Sequence, residues 1–454
     1  MPRFARLALL SLLATAAAHA ANGDLDTSFG TDGVARIDGI QPVYPAVAVQ
    51  PDGRIVVCDD IQGDGTGYDF YVVRFEPDGA RDMTFGVGGA VAIPFDPLGF
   101  GLDLCRAVAI EPDGHIVLAG YRDLGDFPDP QLRAMAVARI DADGTLDAGF
   151  GEGGILAFLF DGFDKGALAT SLAIDAEDRI VIAGWVKAPN YAQRLGVARI
   201  NTDGTFDATF GNGGQATVVP PSDTVSDSAN AVALDAEGRI VVAGARDRDA
   251  VVMRLLDDGS LDATFGDGGV ANAGLDATLQ PPALWAIAID ADDRPVAAGS
   301  RWPNQGDNTE TTIAVRFQTN GTLDPSFGAD GVADVRFGLG GDYDDQSSAA
   351  ALAIQPDGKL VLAGTAVRNG SRDGYAATVA RLGTDGSLDT TFSGDGKAVF
   401  DVSTHTHADQ WLNRVAMQGT EIIAVGGNID VDASYQGDIV LRIPSDRIFA
   451  GLFE

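Results

Sequence analysis

The sequence predicts an all-β fold, a seven-bladed β-propeller of four-stranded antiparallel blades closed by its N-terminal strand. Three observations predict it. First, a segment of the type Leu-Asp-x-Thr-Phe-Gly returns along the chain. Its Phe falls at Phe29, Phe85, Phe150, Phe210, Phe265, Phe327 and Phe392, 55 to 65 residues apart. Fixed periods of this kind signal repeat architectures. Second, an Arg stands eleven residues before each Phe from Phe85 onward (Arg74, Arg139, Arg199, Arg254, Arg316, Arg381), and Arg442 stands eleven before Phe453, which reads as a degenerate last copy. Third, the 454 residues include 58 Gly but only 20 Pro, and 45% are hydrophobic. That composition suits many tight turns around a sizeable core.

Within each unit the elements follow in order. A small-large alternation such as Ala46-Val47-Ala48-Val49 or Ala286-Ile287-Ala288-Ile289 gives the first strand, and its small residues suit the crowded axis. Pro51-Asp52-Gly53 or Pro356-Asp357-Gly358 gives a hairpin turn, because Gly tolerates positive φ. Runs like Ile116-Val117-Leu118-Ala119-Gly120 give the second strand, and segments ending in Val73-Arg74-Phe75 or Ala138-Arg139-Ile140 give the third. A further Asp-Gly turn leads through the Phe-Gly segment into the fourth. No segment carries a helical period. The chain starts on a fourth-type strand, Val34 to Ile37, and ends on a third-type strand, Ile439 to Ile443. The N-terminal strand is therefore expected to complete the last blade and remove an open edge.

The residues resemble a known family here. The Leu-Asp-x-Thr-Phe-Gly-x-x-Gly element, the run Gln355 to Gly364 and the Val-Ala-Arg that follows are similar to the delta-60 repeat, over about residues 23 to 453. That repeat occurs in bacterial exported proteins and is similar to β-propeller blades. The resemblance implies a fold and brings no established activity. It weakens in blade 7, where Gln418-Gly419-Thr420 replaces the Pro-Asp-Gly turn, and in blade 5, where Pro295 enters the second strand.

Residues 1–20 read as a secretory signal peptide: Arg3 and Arg6, the apolar run Leu7 to Ala18, then Ala18-His19-Ala20. Residues 21–454 are expected to form one propeller domain, exported to the periplasm or beyond and monomeric. A net charge of −34 disfavours nucleic acid, whose phosphates must be met by Lys and Arg, and an anionic membrane surface.

A residue present in every blade cannot mark a unique site, so the Arg with its Asp eight positions later (Arg74 and Asp82, Arg139 and Asp147) reads as a structural ion pair, and the Phe as a core plug. The variable loops lie on the opposite face, before first strands and after second strands. Trp185, Trp285, Trp302 and Trp411 map there, with Tyr343, Tyr44 and Tyr121. Flat amphipathic rings point to a surface for a glycan, a protein or a small ligand. His405, His407 and Asp409 before the first strand of blade 7, with Asp430 and Asp432 after its second, suit a divalent cation, zinc or calcium. Asp103, Asp227, Asp345 and Asp409 could form a catalytic ring at the mouth. Cys58 and Cys105, on one rim in adjacent blades, are expected to pair. The function expected is a non-catalytic binding or scaffold propeller. The alternative is a metal-assisted lyase, lactonase or hydrolase at the central mouth.

Overall fold

The computed structural model describes residues 23–445, apart from 64–66, 96–100, 125–131, 191, 219–225, 276–280, 303–308, 340–345, 369–373, 403–407 and 431–434. Seven four-stranded antiparallel sheets stand round a central channel. Blade 1 is Ala46–Val49, Ile55–Gly63, Gly67–Phe75 and Ala90–Ile93; blade 2 is Leu104–Ile110, Ile116–Asp123, Arg133–Ile140 and Ile155–Phe158. Blades 3 to 6 repeat the order, with first strands Ala167–Ile174, Asp227–Leu234, Ala283–Ile289 and Ser347–Ile354. Each first strand touches the first strand of the next blade, so the Ala-rich strands line the axis. Blade 7 is Ala408–Gln418, Glu421–Asp430 and Tyr435–Ile443, completed by Val34–Asp38 at the chain's start. Val34 pairs with Leu441 and Asp38 with Gly437, which closes the ring. No helix of the described residues is long and apolar enough to cross a membrane.

Both faces of each blade are apolar because both are covered. On blade 1, Val56, Cys58, Phe70 and Val72 face Leu118, Ala136 and Ala138 of blade 2. The alternate residues Ile55, Val57 and Val73 face Ile423, Val425 and Val440 of blade 7. The two-residue period of a strand thus feeds two cores at once.

The repeated Arg ties these layers together. In all seven blades it pairs with an Asp at 2.7–2.8 Å, for example Arg74 with Asp82 and Arg254 with Asp262. Its guanidinium lies 4.5–5.0 Å from the centre of the repeated Phe ring. A further nitrogen reaches into the next blade, Arg254 to the carbonyl of Thr319 (2.7 Å) and Arg316 to that of Thr384. The main chain adds a parallel bond, such as Gly86 N–H to the Asp143 carbonyl at 2.8 Å. Arg442 takes its partners from the other end of the chain: Asp26 at 2.8 Å and the Phe29 ring at 4.9 Å. Phe453, the degenerate last copy of the motif, lies outside the described residues.

Burial pushes the Asp82 carboxyl up, but the hydroxyl and N–H of Thr84 and the Arg74 guanidinium outweigh it and hold the pKa at about 2; Asp207 behaves likewise through Thr209 and Arg199. A depressed carboxyl stabilises the fold fully above its usual value of 3.8 and loses that contribution as pH falls toward 2. Replacing Arg254 by Met strands the buried Asp262 and should destabilise by about 3–5 kcal/mol in denaturant unfolding. Adding Asp262→Asn should recover part of that loss; equal losses in the single and double variants would contradict the bracing role.

Candidate ligand-binding site at the central mouth

The site is built by one irregularity that the blades share. In six first strands the register slips by one residue: between Cys105 and Ala107, Ala169 and Ser171, Ala229 and Ala231, Leu284 and Ala286, Ala349 and Ala351, and Leu412 and Arg414. The skipped residues are Arg106, Thr170, Asn230, Trp285, Ala350 and Asn413. All six line one cavity of about 740 Å³ at the axis. A bulge re-aims a side chain, and here it turns one inward in each blade but the first. The bulge brings the first strand close to the second, and this explains the Gly that ends the Ala-Gly motif. A Cβ on Gly184 would overlap the Leu168 carbonyl oxygen.

Second-strand ends and third-strand starts complete the wall with Tyr121, Trp185, Thr365, Arg133, Gln193 and Glu310; Tyr44 and Trp411 lie beside the axis. The Arg106 guanidinium lies 4.8 Å from the centre of the Tyr44 ring and 5.4 Å from that of Tyr121, and Arg133 lies 4.5 Å from the Tyr121 ring. Arg106 meets Asp60 at 3.4 Å, and Arg133 meets Asp123 at 3.4 Å. Arg414 crosses the channel, donating to the carbonyls of Asn413 (2.9 Å), Arg106 and Thr170 (both 3.5 Å). Enclosure, and then the charge of Arg106, lower its pKa to about 10, so it stays cationic at neutral pH. Its counterparts in the other blades are Ala46, Ala107, Ser171, Ala231, Ala286 and Ala351, judged by strand register. Against three Arg the described wall carries one carboxylate, Glu310, which accepts from Ser300 at 2.5 Å and whose pKa desolvation raises. In a chain of net charge −34, this is a cationic, aromatic hole.

Of the residues singled out from sequence, Trp185, Trp285 and Trp411 line this cavity together with Tyr44 and Tyr121; Trp302 does not. Tyr343, His405, His407 and Asp432 lie outside the described residues. Asp409 and Asp430 sit on neighbouring strands in adjacent registers, so their side chains leave opposite faces of blade 7. Asp409 accepts from the N–H of Tyr375 at 3.0 Å. The acidic ring at the mouth does not form among the described residues. Asp103 accepts from Phe95 N–H, and Asp227 pairs with Arg246 at 3.1 Å. Cys58 and Cys105 are joined as a disulfide between blades 1 and 2, with Cα atoms 6.3 Å apart.

Three residues that the sequence reading passed over lie behind this wall. Where six blades carry Gly in the second strand beside the bulge, blade 1 has Asp59. Its first strand is cut short to Ala46–Val49, and the Asp59 carboxylate accepts from the N–H of Val43 at 3.3 Å. Asp60 follows it. Asp438 of blade 7 stands opposite Gly427, where the other blades carry Phe70, Met135, Leu195, Ala250, Thr312 and Ala377. The signal was present in the sequence as breaks in the repeat: Cys-Asp-Asp for Ala-Gly-x, and an Arg and an Asp at core positions of blade 7.

A family model described as a β-propeller domain of unknown function, DUF5122, matches residues 50–85, 111–150, 178–210, 236–265, 291–327 and 355–392. The chain is a β-propeller repeat protein. Its matched segments fall in blades 1 to 6, and the divergent blade 7 is not among them. No curated protein sequence matches the chain. Among solved structures, the propeller is similar to the polysaccharide lyase Uly1, at 12% identity and a TM-score of 0.53, covering 92% of this chain and 93% of that one. An ulvan lyase bound to -[GlcA(1-4)Rha3S]- aligns at 12% identity and a TM-score of 0.49, over 91% and 95%. A puromycin hydrolase aligns at 17% and 0.45, over 87% of this propeller and 51% of that chain. At these identities the likeness is one of fold.

Because the disulfide holds the residue next to Arg106, the Cys58→Ala, Cys105→Ala variant should lose about 2–4 kcal/mol of stability. Equal unfolding midpoints for oxidised and reduced wild-type protein would show that the bond contributes nothing.

Proposed function

We propose that the protein is an exported binding propeller whose central cavity takes an acidic saccharide. The observation that carries the reading is the convergence of Trp185, Trp285 and Trp411 with Arg106, Arg133 and Arg414 on one cavity of about 740 Å³. That volume lies in the usual range for small-ligand sites. Flat rings stack on the apolar faces of sugars, and guanidinium forks match carboxylates and sulfates in pairs of hydrogen bonds. A cationic cleft with low-dielectric walls concentrates anions even when the whole protein is negative. The leader-like pattern of Met1 to Ala20 and the disulfide support export, and the motif's likeness to the delta-60 repeat agrees with it.

The second reading is a propeller enzyme at the same mouth. It is favoured by Glu310, the one carboxyl among the described lining residues, which desolvation holds above the ordinary carboxylate range and which the Ser300 hydroxyl meets at 2.5 Å.

Tryptophan fluorescence titrated with oligogalacturonates, and with neutral oligosaccharides of equal length, tests both. Saturable quenching is expected with the acidic series only, weakening as salt rises. Trp185→Ala or Arg133→Met should raise Kd about tenfold, a loss of about 1.4 kcal/mol. Equal binding of neutral sugars, or of neither series, would sink the acidic-saccharide reading. Shortened or unsaturated products that disappear with Glu310→Gln would favour the enzyme.

A further inference from the structure

Asp59 and Asp438 face each other across the seam between the first and last blades. Asp438 is fully buried, and neither of its carboxylate oxygens receives a hydrogen bond from an N–H or hydroxyl donor in the described structure. Asp59, 1% exposed, has one oxygen on the N–H of Val43 and the other without such a donor. Asp60, fully buried on the opposite face of the same strand, takes the N–H of Cys105 at 2.7 Å and the Arg106 guanidinium at 3.4 Å. Two carboxyl groups buried together with so few donors are strongly disfavoured from ionising both; the stable arrangement is an acid and a carboxylate sharing a proton. The residues that build this pair replace a Gly and an apolar residue of the repeat, so neither is required by the scaffold.

We propose that Asp59, Asp60 and Asp438 form a buried proton store behind Arg106, and that an anion entering the cavity binds with uptake of a proton there. The inference rests on the reading of the cavity as an anion site. An ionised Asp60 holds Arg106 and offsets its charge; a protonated Asp60 leaves that charge to the ligand. An anion beside Arg106 in turn makes the carboxyls behind it harder to ionise. The proton comes from solvent and goes onto a carboxylate, and no other bond changes.

The surroundings agree in sign. From blade 2 the store is faced by Arg106, with Tyr121 behind it; from the channel Arg414 stands beyond Arg106. Asp69 and Tyr71 share the face of Asp59 on the adjoining strand, whereas Arg36 and Asp38 lie on the face away from Asp438. Desolvation lifts Asp59 to about 6, and desolvation together with the charge of Asp59 lifts Asp60 to about 8, against the pull of Arg106. Desolvation, with Asp59 and Asp60 beside it, raises Asp438 well above its ordinary value. Carboxyls raised in this way keep protons to higher pH than free ones, Asp59 releasing its proton first, near pH 6, and Asp60 near pH 8. Affinity for an anion should therefore fall with rising pH, by up to tenfold per unit for one proton.

The test is calorimetric titration of the full chain with an oligogalacturonate, between about pH 6 and 8, in buffers of different ionisation enthalpy. Net proton uptake is expected, with Kd rising several-fold across that interval. Asp438→Asn, and separately Asp59→Asn, should bind at the lower pH within about threefold of wild type and lose both the uptake and the slope. An unchanged slope in both variants, or binding without uptake in the wild type, overturns the coupling while leaving the anion site standing. Failure to bind any oligogalacturonate overturns the anion site, and the coupling with it. Infrared difference spectra give a second readout without ligand. A protonated-carboxyl band should persist at neutral pH and lose intensity in Asp438→Asn. Its absence from the wild type would refute the proton store directly.

Discussion

The propeller depends on a guanidinium held between a carboxylate, an aromatic ring and the neighbouring blade. Arg254 shows all three: Asp262 at 2.8 Å, the Phe265 ring at 4.5 Å and the Thr319 carbonyl at 2.7 Å. A blade has two apolar faces and cannot bury them alone, so it is stable only when its neighbours are fixed beside it. Hydrophobic contact brings sheets together without setting a rotation between them. The Arg supplies direction, because its fork fixes which carbonyl of the next turn it meets. The cost of taking a charge out of water is met by a carboxylate that is itself held by a Thr or Ser hydroxyl two residues on. Ring closure uses the same device, with Asp26 and Phe29 drawn from one terminus and Arg442 from the other.

This explains what was legible from the chain. Blade number, strand order and closure followed from recurring Arg, Phe and Asp-Gly, because a recurring residue reports a recurring contact. The ring that Arg442 meets was not legible from spacing along the chain, because it comes round from Phe29 at the other terminus. Sequence distance stops measuring spatial distance where a ring closes.

The cavity was half legible. The aromatic residues on the variable face were visible as large side chains outside the repeat. The cations were not, because Arg106 and Arg414 sit within Ala-rich first strands, where alternation alone does not tell a bulged residue from a paired one. Only the register slip shows that Arg106 and Asn413 turn to the axis. The Gly that permits each bulge was recorded as part of a motif without its steric reason, so its replacement by Asp59 carried no weight.

Repetition sorts residues by what they can do. A side chain shared by seven blades serves the scaffold, and seven copies of it cannot give a unique place. Uniqueness in a symmetric ring arises where the symmetry is broken, and here the breaks collect at one seam. Blade 1 loses a Gly and the outer half of its first strand; blade 7 gains an Arg at the axis and an Asp in the apolar layer. Each change alone is unfavourable: a buried carboxyl without a donor, or a guanidinium in a channel without a carboxylate. Together they are less so, since Arg106 lies between the carboxyls on one side and Arg414 on the other, and the potentials of carboxylate and guanidinium partly cancel. An anion in the cavity would complete that cancellation on the side where cations are in excess. The destabilising substitutions of the seam are thus the same ones that make the mouth of this propeller unlike an empty channel.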